Sequence, residues 1–138
     1  MKKTVLAIAI SGIVAAVAIP RVSQMVQRSR VTQAAHLVAG DLDLAFTLAA
    51  RHRHPVRLAY TPQSGQYTIA DRVSGAVLHR RSIGASSEWK LDSVTFAPSS
   101  VDVSPNGLAS GPLTVTVAAL GNSRRVAMTR AGIIRETP

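Results

Sequence analysis

The hydrophobic pattern of the chain changes at Pro20. Before it lies an almost unbroken apolar run, residues 4–19, which follows Lys2 and Lys3. After it, apolar residues recur at alternating steps of four and three, a spacing that puts them on one stripe of a helix. The members of this stripe are Val31, Ala35, Val38, Leu42, Ala45 and Ala49. We therefore predict one long N-terminal helix that is apolar all round in its first half and packs by one face in its second half.

The apolar run has two open interpretations. As a helix, its roughly 16 residues would rise about 24 Å, less than the ~30 Å of a hydrocarbon core, so an anchor would rely on local thinning, snorkelling lysines or partner helices. As a cleavable secretory signal, it would end at a small-residue site, Ala16-Val17-Ala18. Both interpretations leave the two lysines in the cytoplasm and export the remainder of the chain.

From residue 56 onward the hydrophobic period changes from 3.6 to 2, which is typical of half-buried strands. Residues 56–70 predict a hairpin around a turn at 61–65, where proline and glycine favour reversal of the chain. Further strands are predicted at 77–83, around Val94 and Phe96, around Val101 and Val103, at 113–117 and at 124–129, with Ile133 and Ile134 closing the sheet. The chain thus divides into a membrane-spanning helix half (1–20), an amphipathic helix half (21–54) and an antiparallel sheet domain (55–138).

Several segments occur in an order that is typical of one protein family. Gly12-Ile13-Val14-Ala15-Ala16-Val17-Ala18-Ile19-Pro20 resembles the second half of the type IV pilin and pseudopilin N-terminal helix. Residues 41–45 and 51–56 resemble the passage from helix to first strand in one branch. The C-terminal order is similar too, with Phe96-Ala97-Pro98, Pro105-Asn106-Gly107, residues 113–117 and Ala131-Gly132-Ile133-Ile134-Arg135. Over nearly its whole length the chain resembles the GspH/FimT family of minor pseudopilins and pilins.

This resemblance implies an α+β, pilin-like fold in which the long N-terminal helix packs on a small antiparallel β-sheet. It also implies a structural protein: a minor pseudopilin of a type II secretion system, or a minor type IV pilin, that assembles near the filament tip. The expected location is the inner membrane, in a single pass with a cytoplasmic N-terminus and a periplasmic C-terminal domain. Other pseudopilins or pilins would be its partners through helix packing, where small side chains allow close approach. The candidate residues of this membrane and assembly helix are Gly12, Ala15, Ala16, Ala18 and Pro20.

The N-terminus departs from the family pattern. Family members carry a short basic leader and then Phe-Thr-Leu-x-Glu, but aligning Pro20 with the family proline places Lys3 where the glutamate is expected. Three explanations stay open: an incomplete or altered N-terminus, a degenerate paralogue, or a subunit that needs no pairing through that glutamate. In pseudopilus systems the subunit at the tip typically lacks this residue.

Charge raises a second functional hypothesis. The chain has 16 Lys and Arg against seven Asp and Glu, a net charge of +9, which suits either a solvated face or weak, non-specific contact with DNA phosphates. Some FimT-like pilins act in DNA uptake through a C-terminal Gly-Arg-x-Arg motif. The matching residues here are Gly132-Ile133-Ile134-Arg135, so half of the motif is present. The candidate DNA contacts are Arg124, Arg125, Arg130 and Arg135, whereas the stacking aromatics are limited to Tyr60, Tyr67 and Trp89.

The sequence contains no recognisable catalytic, cofactor or metal signature. His52 and His54 have a His-x-His spacing, but they lie where the helix is expected to end, which favours basic residues that stabilise a helix C-terminus. Asp41 and Asp43 are two apart and cannot share a helix face, so we expect them to pair with nearby arginines. A soluble domain released after Ala18 is the third functional alternative.

Overall fold

One helix and eight strands make up the part of the chain that the structure describes. The computed structural model describes the backbone of residues 2–138 and the side chains of Ile13 and of residues 25–138. Helix α1 spans Lys2–His52, with Arg51 and His52 in its last turn, where basic side chains are favourable. Arg53 follows in the left-handed region at φ 56°, and Pro55 then excludes further helix.

The strands form two antiparallel sheets, where the sequence predicted one. Their bounds are β1 Val56–Thr61, β2 Gln66–Asp71, β3 Val77–Ser82, β4 Ser93–Ala97, β5 Ser100–Val103, β6 Leu113–Ala119, β7 Asn122–Met128 and β8 Ile134–Thr137. Sheet A has the order β3-β2-β1-β5, and sheet B has the order β4-β6-β7-β8. The chain crosses from sheet B to sheet A at Pro98, which has no N–H to continue the ladder.

The predicted apolar stripe of α1 is confirmed, because all six of its members are at most 1% exposed. The helix packs mainly on β6, β7 and β8 of sheet B. Alternate residues of the strands supply the other side of the core, as the period-2 pattern predicted: Val56, Leu58, Phe96, Val115 and Val117 are buried, and Val94 is partly buried. The pilin-like α+β arrangement, a helix on antiparallel sheets, therefore follows from matched hydrophobic periods.

The last strand begins one residue later than predicted. Gly132 adopts a φ of 86°, which reverses the chain, and a Cβ at this position would lie 3.2 Å from the ring of Phe46 on α1. Ile133 is consequently left in the turn and is 53% exposed, and β8 starts at Ile134, which packs against the core. The prediction that both isoleucines close the sheet is therefore wrong for Ile133.

Candidate functional site

The four C-terminal arginines do not form one patch. On β7, Arg124 lies opposite Val117, on the sheet face that packs against α1, whereas Arg125 lies opposite Thr116 on the outer face. Successive residues of a strand point to opposite faces, so these two neighbours cannot share one ligand surface. Arg130 lies beyond β7 in the exposed turn that leads to β8.

Arg125 and Arg135 are the pair that the fold brings together. Arg135 on β8 lies opposite Ala127, and Arg125 lies opposite Thr137, so the two arginines are diagonal neighbours on the outer face of sheet B. Diagonal neighbours have Cβ atoms about 7 Å apart, which is within the reach of two guanidinium groups for a single phosphate. Both side chains are exposed. This pair is therefore the part of the candidate DNA surface that has a favourable geometry.

The partly matched motif at 132–135 is accessible in the fold. Ile133 occupies the position of the missing arginine and is exposed, so an arginine there would reach solvent beside the Arg125 and Arg135 face. The isoleucine instead adds an apolar side chain to this turn. Its presence removes one charge from the surface that the resemblance associates with DNA.

Other basic side chains are already paired. Arg57 donates to Asp102 through Nε at 2.7 Å and Nη2 at 3.2 Å, and Arg72 donates to the same carboxylate. The hydrogen bond from Arg57 holds the pKa of Asp102 below its ordinary value. This trio lies on the outer face of sheet A, where Arg57 and Asp102 are cross-strand partners. Arg57 is consequently engaged within the protein and is less free to contact a ligand.

A buried polar cluster ties α1 to sheet A, and most of it was not predicted from the sequence. Asp41 is 5% exposed and accepts hydrogen bonds from Arg81 Nε at 2.9 Å and Arg81 Nη2 at 3.1 Å. The hydroxyl of Tyr67 also donates to Asp41, and His79 Nε2 lies 3.3 Å from the same carboxylate. The expectation that Asp41 pairs with an arginine is confirmed. It is wrong for Asp43, which is exposed on another face of the helix and forms no ion pair with an arginine whose side chain is described.

The cluster keeps Asp41 ionised. Burial alone would raise the pKa of Asp41, but the hydrogen bonds from Arg81 and Tyr67 outweigh it and leave that pKa below the ordinary value. Burial, together with the adjacent Asp41, raises the pKa of the Tyr67 hydroxyl. Asp41 therefore accepts from a neutral phenol and a charged guanidinium, an arrangement suited to fixing the helix against β2 and β3 rather than to proton transfer.

The His-x-His segment lies at the C-terminal end of α1. His52 and His54 are both exposed, and His54 Nδ1 is 3.0 Å from Asp71 Oδ2. The contact with His54 and the backbone N–H of Val73 lower the pKa of Asp71. Asp71 thereby links the end of the helix to the turn after β2.

The aromatic side chains offer little stacking surface. Tyr67 is fully buried, and the ring of Tyr60 stacks on Phe96 at a centroid distance of 4.5 Å. Trp89 is half-buried and packs against the core. The part of the chain whose side chains are described therefore has no exposed pair of aromatic rings on which the bases of single-stranded DNA could stack.

Among the cavities of the described residues, two lie at the edges of the sheets. The larger, about 510 Å³, lies between the β1–β2 turn and residues 84–94, and its one acidic side chain, Asp92, accepts a hydrogen bond from the N–H of Leu120 at 2.8 Å. The smaller, about 260 Å³, lies between α1 and the β6–β7 turn, and Arg28 and Arg124 line it.

The candidate assembly residues Gly12, Ala15, Ala16, Ala18 and Pro20 lie outside the residues whose side chains are described. Across the described residues, no helix combines the length and the apolar character needed to cross a membrane.

Comparison with known proteins identifies the family. A sequence profile of the family described as "Type II transport protein GspH" matches residues 34–132, more than two thirds of the chain. The chain belongs to the GspH family. The matched range covers the packed half of α1 and the strands up to β7, so the GspH profile matches the domain built by the helix and both sheets.

Solved structures support the fold of this GspH-family chain. It is similar to the type IV minor pilin FimU of Pseudomonas aeruginosa, with a TM-score of 0.66 and 18% identity over 83% of this chain and 92% of that chain. It is also similar to the minor pseudopilin EpsH of the type 2 secretion system of Vibrio cholerae, with a TM-score of 0.62 and 15% identity over 78% of this chain and 96% of that one. No curated protein matched the sequence.

Proposed function

We propose that this GspH-family chain is a structural subunit of a pilus-like filament: a minor pseudopilin of a type II secretion pseudopilus, or a minor type IV pilin. Residues 1–20 would anchor it in the inner membrane before assembly, with the globular domain in the periplasm. Neighbouring subunits would then pack through the N-terminal half of α1, with this subunit near the filament tip.

The observation that carries the proposal is the length of α1 relative to its packed part. The buried stripe runs from Val31 to Ala49, but the helix begins at Lys2, about 29 residues or roughly 44 Å earlier. Ile13 and Met25, ahead of the stripe, are 67% and 71% exposed. An exposed apolar helix is unfavourable in water, so this half requires a membrane, neighbouring helices or both. Membership of the GspH family favours helices of sibling subunits as the neighbours.

The test replaces a small residue of the N-terminal half by a large one, and the control makes the same substitution elsewhere on the helix. Gly12→Leu should lower incorporation into filaments, because close helix approach needs a small residue there. Gly40→Leu adds the same side chain to the packed half, where nothing lies within 4 Å of the added Cβ, and should assemble normally. The measurement is the amount of each variant in filaments isolated with the sibling subunits. Equal incorporation of both variants would contradict assembly through the N-terminal half.

A FimT-like role in DNA uptake is the second candidate, and the adjacency of Arg125 and Arg135 favours it. Two to four arginine contacts with phosphates would give weak, sequence-independent binding. With three to four contacts, log K should fall with log salt at a slope of about −3 to −4. Such binding fades at physiological ionic strength, so we rank DNA contact below filament assembly.

The DNA hypothesis is tested by the salt slope of the detergent-solubilised full chain. Arg125→Ala with Arg135→Ala should flatten the slope by about two, whereas Arg51→Ala with Arg53→Ala, an equal loss of charge at the other end of the domain, should have less effect. Submicromolar affinity at about 0.15 M salt, lost only in the first pair, would make DNA uptake the leading function.

A further inference from the structure

The loop between β5 and β6 contains Asn106-Gly107, a pair of residues prone to spontaneous deamidation. In this reaction the backbone nitrogen of the glycine attacks Cγ of the asparagine. A bond forms between that nitrogen and Cγ, the bond from Cγ to Nδ2 breaks, and Nδ2 leaves as ammonia with the proton of the glycine N–H. Water then opens the five-membered succinimide at either carbonyl and gives aspartate or isoaspartate. Glycine favours the attack because it has no Cβ to obstruct the approach.

The fold leaves this pair open to the reaction. Asn106 and Gly107 are both exposed, so water reaches the atoms that react. Gly107 adopts a φ of 85°, and apart from its chain neighbours no described atom lies within 4 Å of the position that a Cβ would occupy. The peptide nitrogen and the asparagine side chain therefore have room to approach each other.

Two hydrogen bonds of the turn oppose the attack. The N–H of Gly107 donates to the carbonyl of Ser104 at 3.1 Å, and this nitrogen has to turn toward Cγ. The N–H of Leu108 donates to Oδ1 of Asn106 at 3.2 Å, which holds the side chain away from the nitrogen. The loss of one exposed hydrogen bond changes an equilibrium roughly two- to tenfold, so the two together slow the reaction by at most about 100-fold. The turn therefore slows the reaction without preventing it.

Asn122, the other asparagine of the sequence, is an internal comparison. It is partly buried at the start of β7, where it pairs with Ala119. The residue after it, Ser123, has a Cβ and lies within the strand. Both differences disfavour attack on its side chain, so we expect Asn122 to react more slowly than Asn106.

The loop that carries Asn106 connects the two sheets. Ala109 bridges to Val103 at the end of β5 in sheet A, and its N–H donates at 2.8 Å to the carbonyl of Arg130, which follows β7 of sheet B. Just before this contact the turn is closed by the N–H of Ser104, which donates to the carbonyl of Leu108 at 2.8 Å. A change in the backbone of this turn is therefore transmitted to the contact between the sheets.

The two products affect the turn differently. Isoaspartate inserts an additional CH₂ group into the backbone between positions 106 and 107, so the hydrogen bond from Ser104 to Leu108 cannot close the same turn. Aspartate leaves the backbone unchanged, and its carboxylate can still accept from the N–H of Leu108. Both products lower the net charge of +9 by one.

We infer that Asn106 is a site of spontaneous deamidation in the folded protein, and that its isoaspartate product weakens the contact between the β5–β6 loop and the turn after β7. Water is the only co-reactant. With age, the folded subunits divide into a native form and a form in which sheets A and B are less firmly joined.

The test incubates the detergent-solubilised full chain at mildly alkaline pH and follows both asparagines by mass spectrometry, since deamidation replaces an NH group by oxygen. Residue 106 should react at least roughly tenfold faster than residue 122, because only its attacking nitrogen belongs to a glycine. Asn106→Gln should abolish the early change in mass, because the longer side chain would have to form a larger ring. The matched control, Asn122→Gln, should leave that change as in the parent.

A parallel incubation in guanidinium chloride measures how far the turn protects the site. The unfolded chain should deamidate at residue 106 no more than about 100-fold faster than the folded chain. A larger ratio, equal rates at residues 106 and 122, or no reaction of the folded chain would each overturn deamidation of the folded protein at Asn106.

Hydrogen exchange tests the effect of the product. The isoaspartate fraction is isolated by ion exchange and identified by labelling with an isoaspartyl methyltransferase. In this fraction the N–H of Ala109 should exchange roughly fivefold faster or more than in the parent, because its hydrogen bond to Arg130 opens more often. The variant Asn106→Asp has the same charge on an unchanged backbone and should exchange like the parent. Equal exchange at Ala109 in the isoaspartate fraction and in Asn106→Asp would overturn the weakening of the contact between the sheets.

Discussion

Helix α1 is held to its two sheets by different kinds of contact. Against sheet B it packs an aliphatic seam, in which Val31, Val38 and Leu42 are each about 1% exposed. It also contacts β1 and β5 of sheet A, and on that side a buried polar link is added to the apolar core, since the ionised Asp41 accepts from Arg81 and Tyr67. Burial of apolar side chains stabilises the folded state without requiring one relative orientation of the two elements. A charged bidentate pair, in contrast, forms in only one geometry. The seam therefore stabilises the domain, and the cluster sets how β2 and β3 lie on the helix.

The largest effect is expected from a charge placed in the seam. A fragment starting at Gln27 should fold as a soluble monomer, and Leu42→Asp should destabilise it by at least about 4 kcal/mol, since the change removes a buried leucine and buries a carboxylate. Gln33→Asp, which puts the same carboxylate on an exposed turn of α1, should have little effect. Urea denaturation of the two variants checks this prediction. A Leu42→Asp variant with the same urea midpoint as the parent would exclude helix-on-sheet packing through the seam.

A smaller effect is expected from the cluster. Asp41→Asn keeps the shape but leaves Arg81 without its counter-charge, which should cost about 2–3 kcal/mol, less than for a fully buried pair because Arg81 is partly exposed. Asp43→Asn, the same change two residues later on an exposed face, should be nearly neutral. Denaturation midpoints of the two variants give the comparison. Equal midpoints would mean that the cluster contributes no stability.

The pH dependence separates the two kinds of contact further. The folded-state pKa of Asp41 is lowered below its unfolded value of about 3.9, so the unfolded chain binds the proton more readily. The stabilisation is then fully present above that unfolded pKa and is lost as the pH falls through the folded pKa. The difference in unfolding free energy between the parent and Asp41→Asn should be constant above about pH 5 and shrink below about pH 4. A difference that stays constant down to pH 2 would contradict an ionised Asp41.

The smallest effect is expected from one hydroxyl. Tyr67→Phe removes the donor to Asp41 but retains the ring and the Arg81 pair, and should cost about 1 kcal/mol. Tyr60→Phe, where the ring stacks on Phe96, keeps that stack and should change the thermal midpoint by less. A larger loss at Tyr60 than at Tyr67 would show that packing rather than hydrogen bonding dominates this side of sheet A.

The two contacts also differ in how far the sequence could predict them. The seam repeats every three or four residues, so its members lie close together in the sequence and their period is visible there. Asp41 and Arg81 are 40 residues apart, and no local pattern links them. For the same reason alternation predicted the strands but not their division into sheets A and B, because period 2 says nothing about which strand pairs with which. The turn at Gly132 depends on contact with Phe46, far away in the sequence, so the start of β8 was misplaced.

The grouping of the candidate DNA-contacting arginines likewise depends on contacts between residues that are distant in the sequence. The sequence grouped Arg124 with Arg125, Arg130 and Arg135 because they are near one another along the chain. Strand alternation separates Arg124 from Arg125, and the β7–β8 register brings Arg135 beside Arg125. Arg28, which shares a cavity with Arg124, is 96 positions earlier and could not be joined to it without the fold.

The most direct test of the proposal that α1 serves both the domain and the filament is the intact mass of the native protein from washed membranes. We expect a membrane-bound species that retains the apolar run before Pro20, because the helix that packs on the sheets continues through it without interruption. A soluble species that begins at Ile19 would contradict this proposal, since the chain would then be exported as a free domain and its N-terminal half could take no part in assembly.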